Sequence, residues 1–328
     1  MKNDKGRFVK GNKPNWTKKS RGKKVEDIKF IDLFAGIGGT RLGFERAGAK
    51  CVFSSEWDKH SQETYKANFG EIPHGDITKI EGKEIPDFDI LVGGFPCLPF
   101  SSMGKREGFE HPTQGTLFHE IVRILDDKKP RAFLLENVKG LTTHDKGKTL
   151  KIILETLREN YFVFYKILDS AQFGVPQHRQ RIYLVGFRKD FFEKEPNFIM
   201  PETNGKESFI NEFLEENMEG YSISEHLQRS YLFKKNDGRP KLLDKNSKEQ
   251  IKTLVSTYHK IQRLTGAFVK DGPTGLRLLS ENECKAIMGF PKDFKIPVSR
   301  TQMYRQFGNS VAVPVIESIA KEMVKILN

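Results

Sequence analysis

The chain has 328 residues, 37% of them hydrophobic, a formal charge of +12 and three widely spaced cysteines. That length accommodates one large domain and a smaller one, and the charge suits a polyanionic partner such as nucleic acid. Cys51, Cys97 and Cys284 form neither a disulfide framework nor a zinc-ligand spacing. The eight histidines do not cluster, and no apolar run is long enough for a signal peptide or a membrane span, so the chain reads as a cytoplasmic, metal-free protein.

Much of the excess charge is local. Residues 1–24 hold ten basic residues against one acid, Asp4. The stretch 1–27 is therefore expected to be a disordered tail that either adds sequence-independent phosphate contacts or keeps the chain soluble.

Phe30–Phe34 reads as a strand, and the glycine-rich Ala35-Gly36-Ile37-Gly38-Gly39 turns it into an amphipathic helix that runs to about Ala47 and stops at Gly48. Such a turn brings a ligand close to bare backbone amides. A second strand, Cys51–Ser55, ends at Glu56-Trp57-Asp58. An acid at that place, about twenty residues beyond the glycines, is positioned to bind a ribose diol. Trp57 offers a flat face to a purine or packs in the core. Asp58 caps a helix to Asn68 that Gly70 ends. In Gly75-Asp76-Ile77-Thr78, Asp76 either accepts from an exocyclic amine or makes an ordinary Asx turn.

The chain is organised around Asp89–Val92, a buried strand, and Gly93-Gly94-Phe95-Pro96-Cys97 at its carboxyl end. A thiol on a Pro-Cys corner there is a candidate nucleophile, or else a small buried hydrophobe. Residues 98–116 have little periodicity and read as a lid loop. Helix 117–127 and strand 131–135 follow, the latter ending at Glu136-Asn137-Val138. Helix 149–160, strand 162–168 and strand 182–187 come next. Just before the last of these, Arg179 and Arg181 share a face, either in a site or as solvated surface arginines. From about Lys189 to Gly275 the apolar periodicity weakens, and we expect a smaller, irregular domain. Order returns at 278–291, and Gln306–Ser310 leads into a helix over 313–327.

Taken together, FAGIGG (34–39), EW (56–57), GDIT (75–78), GGFPC (93–97), ENV (136–138), QHRQRIY (177–183), RLLSENECKAIMGFP (277–291) and QFGNSV (306–311) resemble the ordered motifs of the DNA cytosine-5 methyltransferases. The resemblance covers roughly 28–328. It implies an α/β, Rossmann-like catalytic domain with a mixed, mostly parallel sheet at 28–188, a target-recognition domain at 189–275 and a C-terminal return at 276–328. It further implies S-adenosylmethionine bound by Phe34, Gly36, Gly38, Gly39, Glu56, Trp57, Asp76, Ile77, Pro96, Leu117 and Asn309. Cys97 becomes the nucleophile toward a flipped cytosine, Glu136 a protonated partner of its N3, Arg181 a contact to the base and Arg179 a group that fixes the site. Ser101 and Met103 fall near the vacated space in duplex DNA, and Arg229, Arg239 and Arg263 are candidate base readers.

The variable stretches GYSISEHLQRSYLFKK (220–235) and TLVSTYHKIQRLTG (253–266) look like the recognition region of the MspI-type branch. That implies CCGG as target, methylation of its outer cytosine, a monomer, and a restriction-modification system with an independently acting endonuclease. Two departures stand out. Leu98 replaces the family's usual Gln after Pro-Cys, and the long N-terminal extension of that branch is replaced by the short basic tail, so no transcriptional self-regulation is expected. A nicotinamide-dependent oxidoreductase would also use the glycine turn and Glu56, but leaves Pro96-Cys97 and Glu136-Asn137-Val138 unexplained. A non-catalytic DNA-binding module would have no need of Cys97, Glu136 and Arg181. The tRNA cytosine-5 methyltransferases carry a different signature after Pro-Cys.

Overall fold

The computed structural model describes residues 28–95, 117–192 and 194–328. The basic tail and residues 96–116, with Pro96, Cys97, Leu98, Ser101 and Met103, lie outside the described residues.

The first half alternates strand and helix: β1 Lys29–Leu33, α1 Gly39–Arg46, β2 Lys50–Ser55, α2 Lys59–Phe69, β3 Ile90–Gly94, α3 Leu117–Lys128, β4 Ala132–Val138, α4 Lys148–Arg158 and β5 Tyr161–Asp169. Then come the short β6 Gln177–His178 and the long β7 Gln180–Arg188. Six strands form one sheet in the order β2-β1-β3-β4-β7-β5. The pairs β2–β1, β1–β3 and β3–β4 are parallel, and β7 runs antiparallel to both β4 and β5. The second half contributes α5 Glu225–Leu227, β8 Lys241–Leu243, β9 Ile251–Lys252, β10 Ala267–Val269, α6 Glu281–Met288, α7 Arg300–Asn309 and α8 Val313–Leu327.

The central strands are near-continuous apolar runs because helices cover both faces of the sheet. Alternate residues divide between two cores, as the two-residue period of a strand requires. Phe30, Ile90, Val92 and Leu134 join Ile316, Ile319 and Met323 of α8. Ile31, Leu91, Phe133 and Leu135 join Ile121 of α3 and Ile153 of α4. Helix boundaries follow local chemistry. Asp58 accepts from the Ser61 amide at 2.8 Å at the start of α2, and Gly70, at φ 76°, ends it.

Residues 189–275 have no core to themselves. Phe198 and Met200 join the α8-side core. Ile210, Ile223, Leu243, Ile251 and Phe268 pack with Leu279, Ile287, Met303 and Phe307. A boundary at 275/276 thus falls inside a shared core. Arg277, fully buried, ties the two sides. Its guanidinium meets Glu283 at 2.8 Å, Asp271 at 2.7 Å and the Glu215 carbonyl at 2.6 Å.

Candidate active site

A cleft of about 510 Å³ opens where the parallel strands end at their carboxyl edge. Open α/β folds hold ligands at this edge. On one side, the turn after β1 is held to the end of β2. The Ala35 amide donates to the Ser55 carbonyl at 3.0 Å, and the Gly36 amide donates to Glu56 Oε2 at 2.8 Å. Glu56 Oε1 accepts from the Asp58 amide at 2.8 Å. Burial pushes this carboxyl up, against the opposing pull of those amides. Two backbone donors fix the carboxylate and leave each oxygen a further lone pair facing the cleft.

Phe34 lines the cleft in the left-handed region, at φ 57°. A non-glycine residue there is strained, a condition that concentrates at functional sites. Trp57 is 67% exposed, so packing in the core does not explain it. Asp76 makes the Asx turn. Its Oδ1 accepts from the Thr78 amide at 3.1 Å and the Thr78 hydroxyl at 2.8 Å. It still lines the cleft beside Ile77, and Gly36, Gly39, Leu117 and Asn309 line it too. Gly38 sits elsewhere. At φ 87° it starts α1, and a Cβ there would lie 2.2 Å from the Phe69 ring, so close packing against α2 is what requires a glycine.

At the other end of the cleft stand three charged side chains from β4 and the β6–β7 junction. Arg181 Nε lies 3.1 Å from Glu136 Oε1, and the two side chains are only 14% and 13% exposed. Burial pushes the Glu136 carboxyl up, and Arg181 and Arg179 pull the other way. Arg179 is buried. It donates to the Leu254 carbonyl at 3.2 Å, the Gly308 carbonyl at 2.9 Å and the Ser310 carbonyl. Burial, with Arg181 beside it, pulls Arg179 down to about 10. The chain leaves β3 next to this cluster. The Asn137 amide donates to the Phe95 carbonyl at 2.9 Å, and a Cβ on Gly94 would lie 3.4 Å from Glu136 Oε2. The residues that follow are Pro96 and Cys97.

The structure adds lining residues that the motifs did not single out. Gln302, Arg305 and Gln306 face the cleft with Asn309. Their spacing of i, i+3, i+4 and i+7 on α7 is the signal that marks one polar helix face. Thr40 also lines the cleft while its hydroxyl lies 2.7–2.8 Å from both oxygens of the buried Asp32.

The three arginines proposed as base readers are placed differently from one another. Arg229 is 77% exposed and paired with Glu225 at 3.3 Å. Arg239 is exposed. Arg263 is turned inward. Its guanidinium donates to the carbonyls of Leu232, Lys235 and Arg239 and to Asp237, so it braces the protein rather than reaching outward.

A doubly covered, mostly parallel sheet whose carboxyl-edge cleft is lined by Glu56 and Trp57 and by a largely buried acid–arginine cluster defines a Rossmann-like methyltransferase. The chain belongs to the C-5 cytosine-specific DNA methylase family, whose model matches residues 28–325. Among its relatives, type II methyltransferase M.MspI of Moraxella sp is 62% identical over 298 residues, which are 90% of this chain and 70% of that protein. Type II methyltransferase M.BsuFI of Bacillus subtilis is 58% identical over 310 residues, 94% of this chain and 75% of that one. The fold matches that of the S. pombe Dnmt2 methyltransferase with a TM-score of 0.75 at 22% identity, over 92% of this chain and 99% of the other. The protein is thus an enzyme that methylates cytosine at C5 in DNA, of the kind found in restriction-modification systems. No helix among the described residues is long and apolar enough to cross a membrane.

Proposed function

We propose that the enzyme methylates the outer cytosine of CCGG in duplex DNA, with S-adenosylmethionine as donor, as a monomer that protects host DNA from a separate cognate endonuclease in the cytoplasm. The observation that carries the chemistry is the buried Glu136–Arg181 pair beside the exit of β3, at the opposite end of one cleft from Glu56 and Trp57. The CCGG target rests on the recognition stretches 220–235 and 253–266.

The donor fits the residues present. The anchored Glu56 carboxylate suits a ribose diol, the open face of Trp57 suits an adenine, and Asp76 keeps acceptor capacity for an exocyclic amine. Phe34, Gly36, Gly39, Ile77, Leu117 and Asn309 enclose the remainder, and Pro96 continues from β3. When bound, S-adenosylmethionine supplies an electrophilic methyl group.

C5 of cytosine is a weak nucleophile until a thiolate adds to C6. A free thiol titrates near 8.5, so nearby cations must favour the anion. Cys97 forms the S–C6 bond, and electron density moves toward N3. Burial raises the hold of the Glu136 carboxyl on the proton it would donate there, and Arg181 supports the charge that develops. C5 then takes the methyl, its proton leaves to a base, and the C6–S bond breaks to restore the ring. Cys51 and Cys284 are unsuited to this work. Both are buried, and burial pushes Cys51 up to about 12 and Cys284 well above the usual thiol range. Arg179 holds the cluster from behind. Residues 189–275 supply recognition, with Arg229 and Arg239 reaching toward DNA.

Bisulfite sequencing of DNA from a host expressing the chain tests the target. Protection of the first cytosine in CCGG is expected. Protection in a different motif would overturn the assignment of the target, and no protected cytosine at all would overturn the activity.

A further inference from the structure

Two exposed stretches, 229–239 and 259–266, are joined by a single side chain. Arg263 donates through Nε to the Leu232 carbonyl at 2.8 Å, through Nη1 to Asp237 at 3.0 Å, and through Nη2 to the carbonyls of Lys235 at 2.9 Å and Arg239 at 3.3 Å. Its own amide donates to the Tyr231 hydroxyl at 3.4 Å. An arginine is well suited to this, because its planar fork presents five donors in fixed directions. Ile261, packed against the core, is held at φ 53°, a conformation a β-branched residue avoids, while Leu264 is 59% exposed.

Between them stands Gln262, exposed, with its carbonyl accepting from the Gly266 amide at 2.8 Å. Its side chain is already oriented. The Thr265 hydroxyl donates to Oε1 at 3.0 Å, which leaves the Nε2 donors facing outward. A shallow groove runs from Gln262 and Thr265 along Thr253 and Val255. That segment is fastened to the catalytic side. Leu254 N–H donates to Gln177 Oε1 at 2.6 Å, the Thr253 hydroxyl donates to the His178 carbonyl at 2.7 Å, and Arg179 takes the Leu254 carbonyl. Lys234, Lys235, Lys252 and Lys260 are exposed around it, a charge pattern that complements a phosphate backbone.

We propose that 229–239 and 259–266 form one reading head, in which Arg263 is the positioning residue and Gln262 is a specificity-determining residue that offers its amide donors to a guanine in the major groove. Guanine presents two acceptors there, O6 and N7. Adenine presents an acceptor beside a donor, which would call for the glutamine oxygen, one lone pair of which Thr265 already takes. The inference rests on the duplex-DNA reading of the site.

The test compares wild type with Gln262→Leu by kcat/KM on CCGG duplexes, unmodified or carrying 7-deazaguanine at each guanine in turn, with S-adenosylmethionine affinity measured in parallel. Gln262 is exposed, so the variant is expected to fold. At one guanine, loss of N7 should lower wild-type kcat/KM about tenfold, and Gln262→Leu should show a similar loss on unmodified duplex with no further loss at that position. Cofactor affinity should not change. Wild-type discrimination at every position in Gln262→Leu would overturn the proposal, as would a uniform loss that leaves each 7-deazaguanine penalty intact. A different motif found by bisulfite sequencing would sink the CCGG assignment alone, and the same comparison would then be made at the guanines of that motif.

Discussion

Two carboxyls beneath the cleft are held out of water, and burial pushes both up: Glu136, and Asp32 to about 7. For Glu136 this favours the protonated form that the proposed donation to N3 requires. For Asp32 the consequence is one of stability. The Thr40 hydroxyl and Arg41 pull its pKa down and the Glu56 charge pushes it up, but desolvation dominates. Its folded pKa lies above the ordinary 3.8, so the folded state binds the extra proton between about pH 4 and pH 7. Stability therefore falls as pH rises through that window and levels off above it, by up to about 4 kcal/mol from this one group. Asp32→Asn removes the titration. Thermal melts should show the variant gaining on wild type from pH 4 to pH 8, whatever constant cost the amide adds. Parallel curves would contradict this.

At this scale the motifs were informative wherever a side chain works at a strand end. The positions of Glu56, Trp57 and Glu136 follow from where strands stop, and that of Arg181 from where β7 begins. Arg263 was not legible in the same way. Its partners, Leu232, Lys235, Asp237 and Arg239, lie more than twenty residues away in sequence, and nothing local distinguishes a bracing arginine from a reading one.

Among elements, the junction of α7 with the segment after β9 bears most directly on the site. A Cβ on Gly308 would fall 2.1 Å from the Ser256 amide nitrogen, so backbone touches backbone here. The Gly308 carbonyl is also one of the acceptors that hold Arg179. Gly308→Ala must push the two segments apart. It should destabilise the fold by about 1–3 kcal/mol in urea denaturation and lower methyl transfer, because Arg179 loses its seat. A variant with unchanged stability and turnover would show that the contact is dispensable.

Element ends such as Asp58 and Gly70 of α2, and the whole of α8, follow from capping and periodicity. The sharing of one core between 210–269 and helices α6 and α7 does not, because it arises from scattered single residues such as Ile223 and Phe268 with no periodic pattern to expose them.

Across the whole molecule, residues 189–275 are not a loosely attached module. Gln177, His178 and Arg179 grip 253–254, and Arg277 pairs with Glu283, both fully buried, and with the partly exposed Asp271. Removing one member of such a pair strands a buried charge, so the geometry between the reading surface and the catalytic cluster is held firmly. The sheet's carboxyl edge gathers Glu56, Trp57, Glu136, Arg179 and Arg181 into one cleft, and β3 ends at that cleft two residues before Pro96-Cys97 in sequence.

In the proposed mechanism Cys97 bonds transiently to an extruded cytosine. A CCGG duplex with 5-fluorocytosine at the outer position, incubated with the enzyme and S-adenosylmethionine, blocks loss of the C5 substituent and so traps that bond. Peptide mass spectrometry should find the methylated base attached to Cys97. The absence of any adduct, or an adduct on Cys51 or Cys284 instead, would contradict it.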